Sequence, residues 1–458
     1  MKGGIIIPSK DFITHLLNVT TSDILNYDVR IENETAYYEI TLVRKPLTCP
    51  RCGSAMIGHG RKQRKINHPA IRDRNGIILY NANRYICKIC KKTEFEPNPF
   101  AMDGFNSSYL LLQSIMKMLK NLNYTLQMIS NELNISTTQV LKYIDSYITI
   151  PPRTLPENLG IDEIHSPALS RKNSSYLCII VNNEKRQLYD ILDTRSKEPL
   201  SLYFSKFPRE QRLNVKYVTI DMWEPYKDVV KVYFPNCIVA VDPFHVIKHL
   251  TTGFDNLRIS LMKQCIYDSN GYYLLKKWSW LLKTDNVELD NERKYNRRFN
   301  RTMSRRDILS TIFDSFPILK QAYDLKEEYR YINKNCSYEE ALSRFKDIRK
   351  KFKDAKITQY DEFTSILFNW EEEILNSFHR PQNSRRLSNS FTENINGKIK
   401  LYIAQSKGIQ NFERFRKRVI YALSDDIYFA ISSNLITLKE EKRKRGPYRK
   451  STTNDKNE

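Results

Sequence analysis

The sequence lacks any apolar run close to the roughly 20 residues that a membrane-spanning helix needs. Near its start the only apolar run is Ile5, Ile6 and Ile7, which is too short for the apolar region of a signal peptide. We therefore expect no membrane partner and a cytoplasmic location. With 458 residues, the chain is long enough for about three domains.

Acidic residues are too few to balance the basic ones. The chain has 52 Asp and Glu against 74 Lys and Arg, which gives a formal net charge of +22. An excess of this size indicates a polyanionic partner, with nucleic acid the first candidate and an anionic membrane the second. The alternative is a soluble protein that is merely basic.

Cysteine is also scarce, and its spacing does not resemble a disulfide framework. Four of the 8 cysteines are scattered in mostly apolar surroundings and are interpreted as reduced packing residues: Cys178, Cys237, Cys265 and Cys336. The other four form two Cys-x-x-Cys pairs, Cys49 with Cys52 and Cys87 with Cys90. Two such pairs supply four thiolates, which suit a tetrahedral structural zinc ion in a zinc ribbon. Disulfides or a redox pair are the alternatives.

Residues 101–150 have the pattern of short amphipathic helices. One helix is predicted within 107–120, a second from Tyr124 to Leu133 with Thr125 as its N-cap, and a third from Thr137 to Tyr147 capped by Ser136. The last two are typical of a helix-turn-helix, whose second helix lies in the major groove of DNA. The side chains expected to face DNA are Thr138, Gln139, Lys142 and Tyr143. A helical hairpin packed in a core is the alternative.

From residue 159 the pattern changes to strands. Strands are predicted at 160–164, 176–181 and 186–192, followed by alternating helices and strands up to about residue 250. The order β-β-β-α-β-α-β-α indicates a ribonuclease-H-like arrangement, in which an antiparallel meander precedes parallel strands with helical crossovers. Residues 251–380 are predicted to be helical throughout.

Carboxylates recur where these strands end. Asp162 lies within the first strand, and Asp221 and Asp242 each follow a later one. Because the carboxyl ends of parallel strands meet at one sheet edge, these side chains should converge. Carboxylates that hold two divalent ions about 4 Å apart can transfer phosphodiesters, and oxygen ligands favour Mg²⁺ or Mn²⁺. Glu393, on a helix after residues 388–390, is the third candidate ligand.

These segments, in this order, resemble the transposases of the ISL3 insertion-sequence family from about residue 48 to 423. The matching stretches are Cys49–Ser54, Tyr85–Cys90, Gly160–Glu163, Thr219–Met222 with Pro225 and Tyr226, Asp242–Val246, Ser388 and Asn389 with Glu393 and Asn396, Gly408–Phe412, and Phe415–Arg418. Asn394 departs from the family's usual glycine, and Ser406–Ile409 lacks its usual aromatic residue.

The resemblance implies a ribonuclease-H-like DDE enzyme with Asp162, Asp221 and Glu393 as its catalytic triad. Its partners would be double-stranded DNA, both element ends and target, and further copies of the chain. Nucleoid association follows from DNA binding. Lys400, Arg416 and Arg418 are expected to contact DNA as well. For Asp242 and His245 two roles stay open: an auxiliary ligand with a phosphate contact, or a helix cap with a packed histidine.

The expected fold class is multidomain α/β: a zinc ribbon, a helix-turn-helix and a ribonuclease-H-like core interrupted by an all-helical insertion. The first expected domain is 1–100, with the zinc ribbon at about 45–100, and the helix-turn-helix follows at 101–150. The first part of the ribonuclease-H-like core is expected at 156–250 and the helical insertion at 251–380. The Glu393 helix and the C-terminal helices are expected at 381–437, and a basic disordered tail at 438–458. An active DNA transposase is the leading hypothesis. A catalytically inactive DNA-binding regulator and a nuclease of the same fold are the others.

Overall fold

The computed structural model describes residues 14, 17, 19–71, 74–102, 105–284, 292–381, 385–406 and 409–427. The chain divides into two compact units, one of Met1–Arg153 with Lys398–Glu458 and one of Thr154–Gly397. The tail expected at 438–458 lies outside the described residues, as do residues 407 and 408. None of the described helices is long and apolar enough to cross a bilayer.

The first unit begins with a five-stranded sheet ordered β1-β2-β4-β3, with β5 paired to β4. Its strands are β1 (Ile24–Glu32), β2 (Thr35–Leu42), β3 (Met56–Ile71), β4 (Arg74–Cys87) and β5 (Thr93–Phe95). Strand β2 runs parallel to β4, and the other pairs are antiparallel. One face carries the core, because alternate residues such as Ile40, Ile66 and Ile78 are buried.

Three helices follow: α1 (Tyr109–Leu119), α2 (Leu126–Glu132) and α3 (Thr137–Tyr147). The predicted N-caps are confirmed, since the side chain of Thr125 accepts a hydrogen bond from the Met128 amide and that of Ser136 from the Gln139 amide. Asn134, in the turn between α2 and α3, has a φ of 48°. Asparagine tolerates this left-handed conformation better than most residues, which explains where α2 stops.

The second unit is built on a five-stranded sheet ordered β10-β9-β6-β7-β8. Its elements are β6 (Asn158–His165), β7 (Tyr176–Asn182), β8 (Gln187–Leu192), α4 (Lys197–Ser205), α5 (Arg209–Leu213), β9 (Tyr217–Ile220), α6 (Glu224–Tyr233) and β10 (Ile238–Val241). Strands β6 to β8 pair antiparallel, whereas β6, β9 and β10 run parallel. The predicted order of strands is confirmed, and the carboxyl ends of the parallel strands share one edge.

The chain continues from α7 to α15, and its part from α7 to α14 packs with this sheet around one continuous apolar core. Its elements are α7 (Pro243–Gln264), α8 (Asn270–Lys277), α9 (Ser279–Lys283), β11 (Lys294–Asn296), β12 (Arg301–Met303), α10 (Arg305–Ser315), α11 (Pro317–Asn335), α12 (Tyr338–Ala355), α13 (Asp361–Asn369), α14 (Glu371–Asn376) and α15 (Ser390–Gln405). The prediction that 251–380 is all helical is therefore wrong, because β11 and β12 form an antiparallel hairpin. Its strands consist mostly of basic and polar residues, so no apolar alternation marked them.

The C-terminal part of the first unit ends in α16 (Phe412–Leu423). Two cationic side chains, half-buried Lys120 and buried Arg418, join this helix to the end of α1. The ammonium of Lys120 donates to the carbonyl oxygens of Tyr421, Ser424 and Ile427 at 2.7–2.8 Å. In the other direction, the guanidinium of Arg418 donates to the carbonyls of Asn121 and Tyr124 at 2.9 and 3.2 Å. Each side chain thus satisfies backbone carbonyls at or just beyond the C-terminal end of the other helix.

Candidate active site and metal centres

The four paired cysteines converge at one point of the first unit. Their sulfur atoms lie 3.4 Å apart between Cys49 and Cys90, 3.5 Å between Cys52 and Cys87, and 3.7 Å between Cys52 and Cys90. A tetrahedron of thiolates about 2.3 Å from zinc has sulfurs about 3.8 Å apart, so the cluster fits the ion. Only a small apolar cluster, with Met56 and Tyr85, surrounds the cysteines.

The two cysteine pairs have the same backbone form. In each, the residue after the second cysteine has a positive φ, 70° at Gly53 and 60° at Lys91. The amide of that residue donates to the carbonyl of the first cysteine, at 2.8 Å for Gly53 and 3.0 Å for Lys91. This tight turn brings both thiols of a pair to one side, as a closed structural site requires.

The candidate catalytic residues come from five elements of the second unit. Asp162 lies within β6, Asp221 directly follows β9, and Asp242 directly follows β10. His245 is in the first turn of α7 and Glu393 in the first turn of α15. The strand-end rule therefore placed Asp221 and Asp242 at one edge of the parallel strands, and Asp162 meets them from within β6.

His245 lies between two groups of possible ligands. Ligand atoms of Asp162, Asp221 and His245 lie within 4.8 Å of one another, and so do those of Asp242, His245 and Glu393. The Nδ1 atom of His245 is 3.2 Å from an oxygen of Asp221. The expected triad is thus divided between two adjacent groups, and Asp242 is a fourth carboxylate beside them.

Asp162 is held in a buried, polar environment. It is 5% exposed, and its oxygens accept from the Asn396 side-chain amide at 2.8 Å and from the Glu163 backbone amide at 2.8 Å. Burial raises the pKa of Asp162 to about 6, and the neighbouring Asp221 adds to the shift. A cation bound beside such a carboxylate would favour its ionised form and lower its pKa again.

Asp242 occupies the N-cap position of α7, yet among the described residues its side chain makes no capping hydrogen bond. It is 2% exposed, and one oxygen accepts from the Asn389 amide at 3.3 Å. Its other oxygen is buried with no hydrogen-bond partner in the described part of the chain. Burial raises the pKa of Asp242, and Glu393 raises it further. An unpartnered buried carboxylate oxygen is costly unless a ligand meets it.

Helix α15 reaches the sheet because β6 carries a glycine at its closest approach. A Cβ atom on Gly160 would lie 2.8 Å from the Thr392 hydroxyl oxygen and 2.9 Å from the Asn389 side-chain oxygen. The side-chain amide of Asn389 also donates to the Ile161 carbonyl at 3.1 Å. These contacts fix the start of α15, one turn from Glu393, against the strand that carries Asp162.

Two sequence comparisons identify the family. Residues 159–419, more than half of the chain, match a family model described as a transposase of the ISL3 type. The chain belongs to the ISL3 family of transposases. Residues 45–90 match the zinc finger of the transposases IS204, IS1001, IS1096 and IS1165. The resemblance and the zinc ribbon are confirmed. None of the curated proteins compared with the chain matches it.

Membership of this family indicates the kind of chemistry to which the clustered residues relate. Transposases act as nucleases and transesterases, and the matched segment of this ISL3 transposase includes every candidate catalytic residue. The zinc-ribbon match includes all four clustered cysteines, which supports structural zinc. The matched region also extends into α16, beyond the sheet and its insertion.

Burial corrects two of the expected DNA contacts. Tyr143 is fully buried and its ring stacks on Phe105 at 5.0 Å, so it cannot face DNA. Arg418 is 1% exposed and satisfies backbone carbonyls inside the first unit. Both residues lie on the apolar side of their helices. Because their side chains carry polar atoms, the sequence alone suggested that they are exposed. The exposed candidates are Thr138, Lys142 and Lys400, with Gln139 and Arg416 half-buried.

Several residues near the carboxylates were not predicted individually. The backbone amide of Asn389 donates to Asp242, and the side chain of Asn396 donates to Asp162. No rule of spacing in the sequence indicates either contact. Arg195 pairs with Glu163 and lies between the rings of Tyr176 and Trp223, at 3.9 and 4.1 Å. Because Arg195 is distant in sequence from both rings, no local pattern could have indicated this stack.

Proposed function

We propose that this ISL3-family transposase binds the terminal inverted repeats of an insertion sequence and catalyses metal-dependent strand cleavage and strand transfer. The observation that carries the proposal is the convergence of Asp162, Asp221, Asp242 and Glu393 around His245. Asp221 and Asp242 follow the carboxyl ends of two parallel strands, where α/β proteins build their sites, and Asp162 on β6 and Glu393 on α15 meet them there. Two adjacent ligand groups suit chemistry that needs two divalent ions.

The catalytic unit is proposed to be a ribonuclease-H-like core. Support comes from the strand order, in which an antiparallel meander of β6, β7 and β8 is extended by parallel β9 and β10. A long insertion then separates β10 from α15, which carries Glu393. In this arrangement the insertion returns the chain so that the first turn of α15 meets β6.

Magnesium or manganese is the proposed catalytic ion, since the donors are mainly carboxylate oxygens. Asp162, Asp221 and Glu393 would hold the ions, with Asp242 and His245 as auxiliary groups. Bound divalent ions supply an activated hydroxyl nucleophile and stabilise charge on the leaving oxygen. Asn396 orients Asp162, and Asn389 positions Asp242, so both asparagines would keep ligand oxygens aimed at the site.

DNA recognition is proposed to rest on the first unit. Helices α2 and α3, with the tight turn at Asn134, have the form of a helix-turn-helix whose second helix would present Thr138, Gln139 and Lys142. The zinc ribbon would add a second contact, and the net charge of +22 supports binding to phosphates. Paired element ends also imply a homo-oligomer on DNA.

A catalytically inactive DNA-binding regulator is the alternative, and the two functions differ in one outcome. DNA carrying the element's ends, incubated with the protein and Mg²⁺, should yield cleaved ends and joined products. A regulator would protect the same ends in a footprint and leave both strands intact. Because all four carboxylates are present, and Asp162 and Asp242 are held by hydrogen bonds, we expect cleavage.

Asp242→Asn separates a metal ligand from a helix cap. We expect at least a ~10-fold loss of cleavage rate with little loss of stability, because its side chain makes no capping hydrogen bond among the described residues. Single-turnover cleavage and thermal unfolding would be measured together. The matched control is Ser337→Ala, which removes a real cap from α12 and should cost about 1 kcal/mol while preserving the rate. Full cleavage by Asp242→Asn with reduced stability would identify Asp242 as a cap.

A further inference from the structure

The hairpin of β11 and β12 lies in the most basic stretch of the second unit's insertion. Between residues 292 and 306 there are seven Lys and Arg residues and one acidic residue, Glu292. Adding Asp285, Glu288 and Asp290, just before this stretch, still leaves seven basic residues against four acidic ones. Such a density of like charge is unfavourable in isolation and indicates a polyanionic partner.

Two buried side chains fix the hairpin on the insertion. Asn296 and Met303 are 8% and 4% exposed, and Asn296 accepts hydrogen bonds from the Arg298 amide at 3.0 Å and the Tyr273 hydroxyl at 3.3 Å. Arg298 itself is used internally, donating to the side chain of Asn270 at 2.9 Å and that of Asp268 at 3.1 Å. These contacts hold the hairpin in place on the insertion, and its other basic side chains extend from it.

Two exposed arginines are not part of the ion pairs around the hairpin, in which Lys294 contacts Glu292 at 3.3 Å and Arg293 contacts Asp307 at 3.9 Å. Arg297 and Arg301 are exposed, and neither forms an ion pair with any carboxylate that the structure describes. A cavity of about 760 Å³ lies beside them, lined by Lys277, Lys294 and Arg297 together with Tyr273, Trp278 and Tyr295. Tyr295 is 59% exposed. Guanidinium and ammonium groups interleaved with aromatic rings are the composition of a nucleic-acid-binding surface.

We propose that this hairpin binds the phosphate backbone of duplex DNA, as a contact separate from the helices of the first unit. The inference rests on the proposed function and adds a DNA-binding surface to the catalytic unit itself. Arginine suits this role because its planar guanidinium can donate two hydrogen bonds to one phosphate. Such contacts position the duplex without reading its sequence. A membrane surface is disfavoured because the hairpin presents no apolar face.

The test compares the salt dependence of DNA binding between two double variants of the full chain. Arg297→Ala with Arg301→Ala should reduce the slope of log K against log salt by about 1.8, since each phosphate contact contributes about 0.9. The same decrease is expected on a duplex that lacks the element's ends. Lys346→Ala with Lys350→Ala removes equal charge from the exposed side of α12 and should leave the slope unchanged. Lysine at both hairpin positions should restore the slope.

Binding is measured in Ca²⁺ so that cleavage does not interfere, and cleavage is measured separately in Mg²⁺. An unchanged slope for the hairpin variant, or an equal decrease in the α12 control, would overturn the proposed contact. A slope reduced only on single-stranded DNA or RNA would also refute it. Another outcome is that the wild-type protein cleaves element ends while the hairpin variant keeps the wild-type slope of log K against log salt. In that case the hairpin contact is refuted and the transposase function stands. A wild-type protein that neither binds nor cleaves such ends contradicts the function itself.

Discussion

Asp221→Asn should lower the rate of strand cleavage by about 10³-fold or more while the affinity for element ends stays within about 2-fold of wild type. A loss of that size corresponds to about 4 kcal/mol of transition-state stabilisation, which is within what a metal-bound site supplies. Asp221 directly follows β9 and faces His245 at 3.2 Å. It is remote in sequence from α2 and α3, on which recognition is proposed to rest. Single-turnover cleavage and a binding titration would be measured on the same preparation.

A matched control lies seven residues further along the chain. Asp228→Asn removes the same charge from α6, where Asp228 is half-exposed and pairs with Lys197. Surface ion pairs contribute little, so this variant should cleave at the wild-type rate. Glu393→Gln should behave like Asp221→Asn. Near-normal cleavage by either active-site variant would show that the triad assignment is wrong, and the ligands would then be sought at Asp242 and His245.

Cys87→Ser should remove the bound zinc and unfold the ribbon. Wild-type protein should contain about one zinc ion per chain by metal analysis, and the variant almost none. The cysteines have only Met56, Tyr85 and a few partly buried residues around them, so metal binding must supply most of the folding free energy here. Hydrogen exchange of residues 45–92 would report the loss of structure.

Cys265→Ser provides the control for the zinc experiment. Cys265 is half-buried in the second unit, where its thiol lies 3.4 Å from the Leu261 carbonyl oxygen, far in sequence from the two cysteine pairs. This variant should keep its zinc and the protection of the ribbon. A wild-type protein that is free of metal yet protected from exchange between Cys49 and Cys90 would contradict a structural zinc site.

Local features of the fold could be predicted because their causes are local. The N-caps Thr125 and Ser136 were predicted correctly, since a cap depends on the residue itself and on amides two or three positions away. Gly53, directly after the first cysteine pair, has a positive φ, which glycine adopts at no steric cost. The shared position of Asp221 and Asp242 also followed from sequence, because strand direction determines which strand ends share an edge.

Features that depend on tertiary contacts could not be predicted in the same way. Arginine is usually a surface residue, so the sequence did not indicate that Arg418 is buried. Only the packing of α16 on α1 shows that its guanidinium donates hydrogen bonds to backbone carbonyls. The β11–β12 hairpin carries charge rather than apolar alternation, so no periodic pattern in the sequence indicates its strands. Glu393 lies on an ordinary amphipathic helix, and its role depends on Gly160 allowing α15 to approach β6.

This ISL3-family transposase is proposed to cut DNA with divalent ions held by the carboxylates of its second unit. The most direct test is single-turnover cleavage of a duplex carrying one element end, with wild-type protein in Mg²⁺, in Mn²⁺, in Ca²⁺ and without added divalent ion. The zinc content would be checked before and after, so that loss of the ribbon is not mistaken for loss of the catalytic ion. We predict a nick at the element end in Mg²⁺ and Mn²⁺, binding with little cleavage in Ca²⁺, whose geometry is larger and looser, and no cleavage without a divalent ion. Cleavage that proceeds equally well without a divalent ion, with zinc retained, would contradict the account.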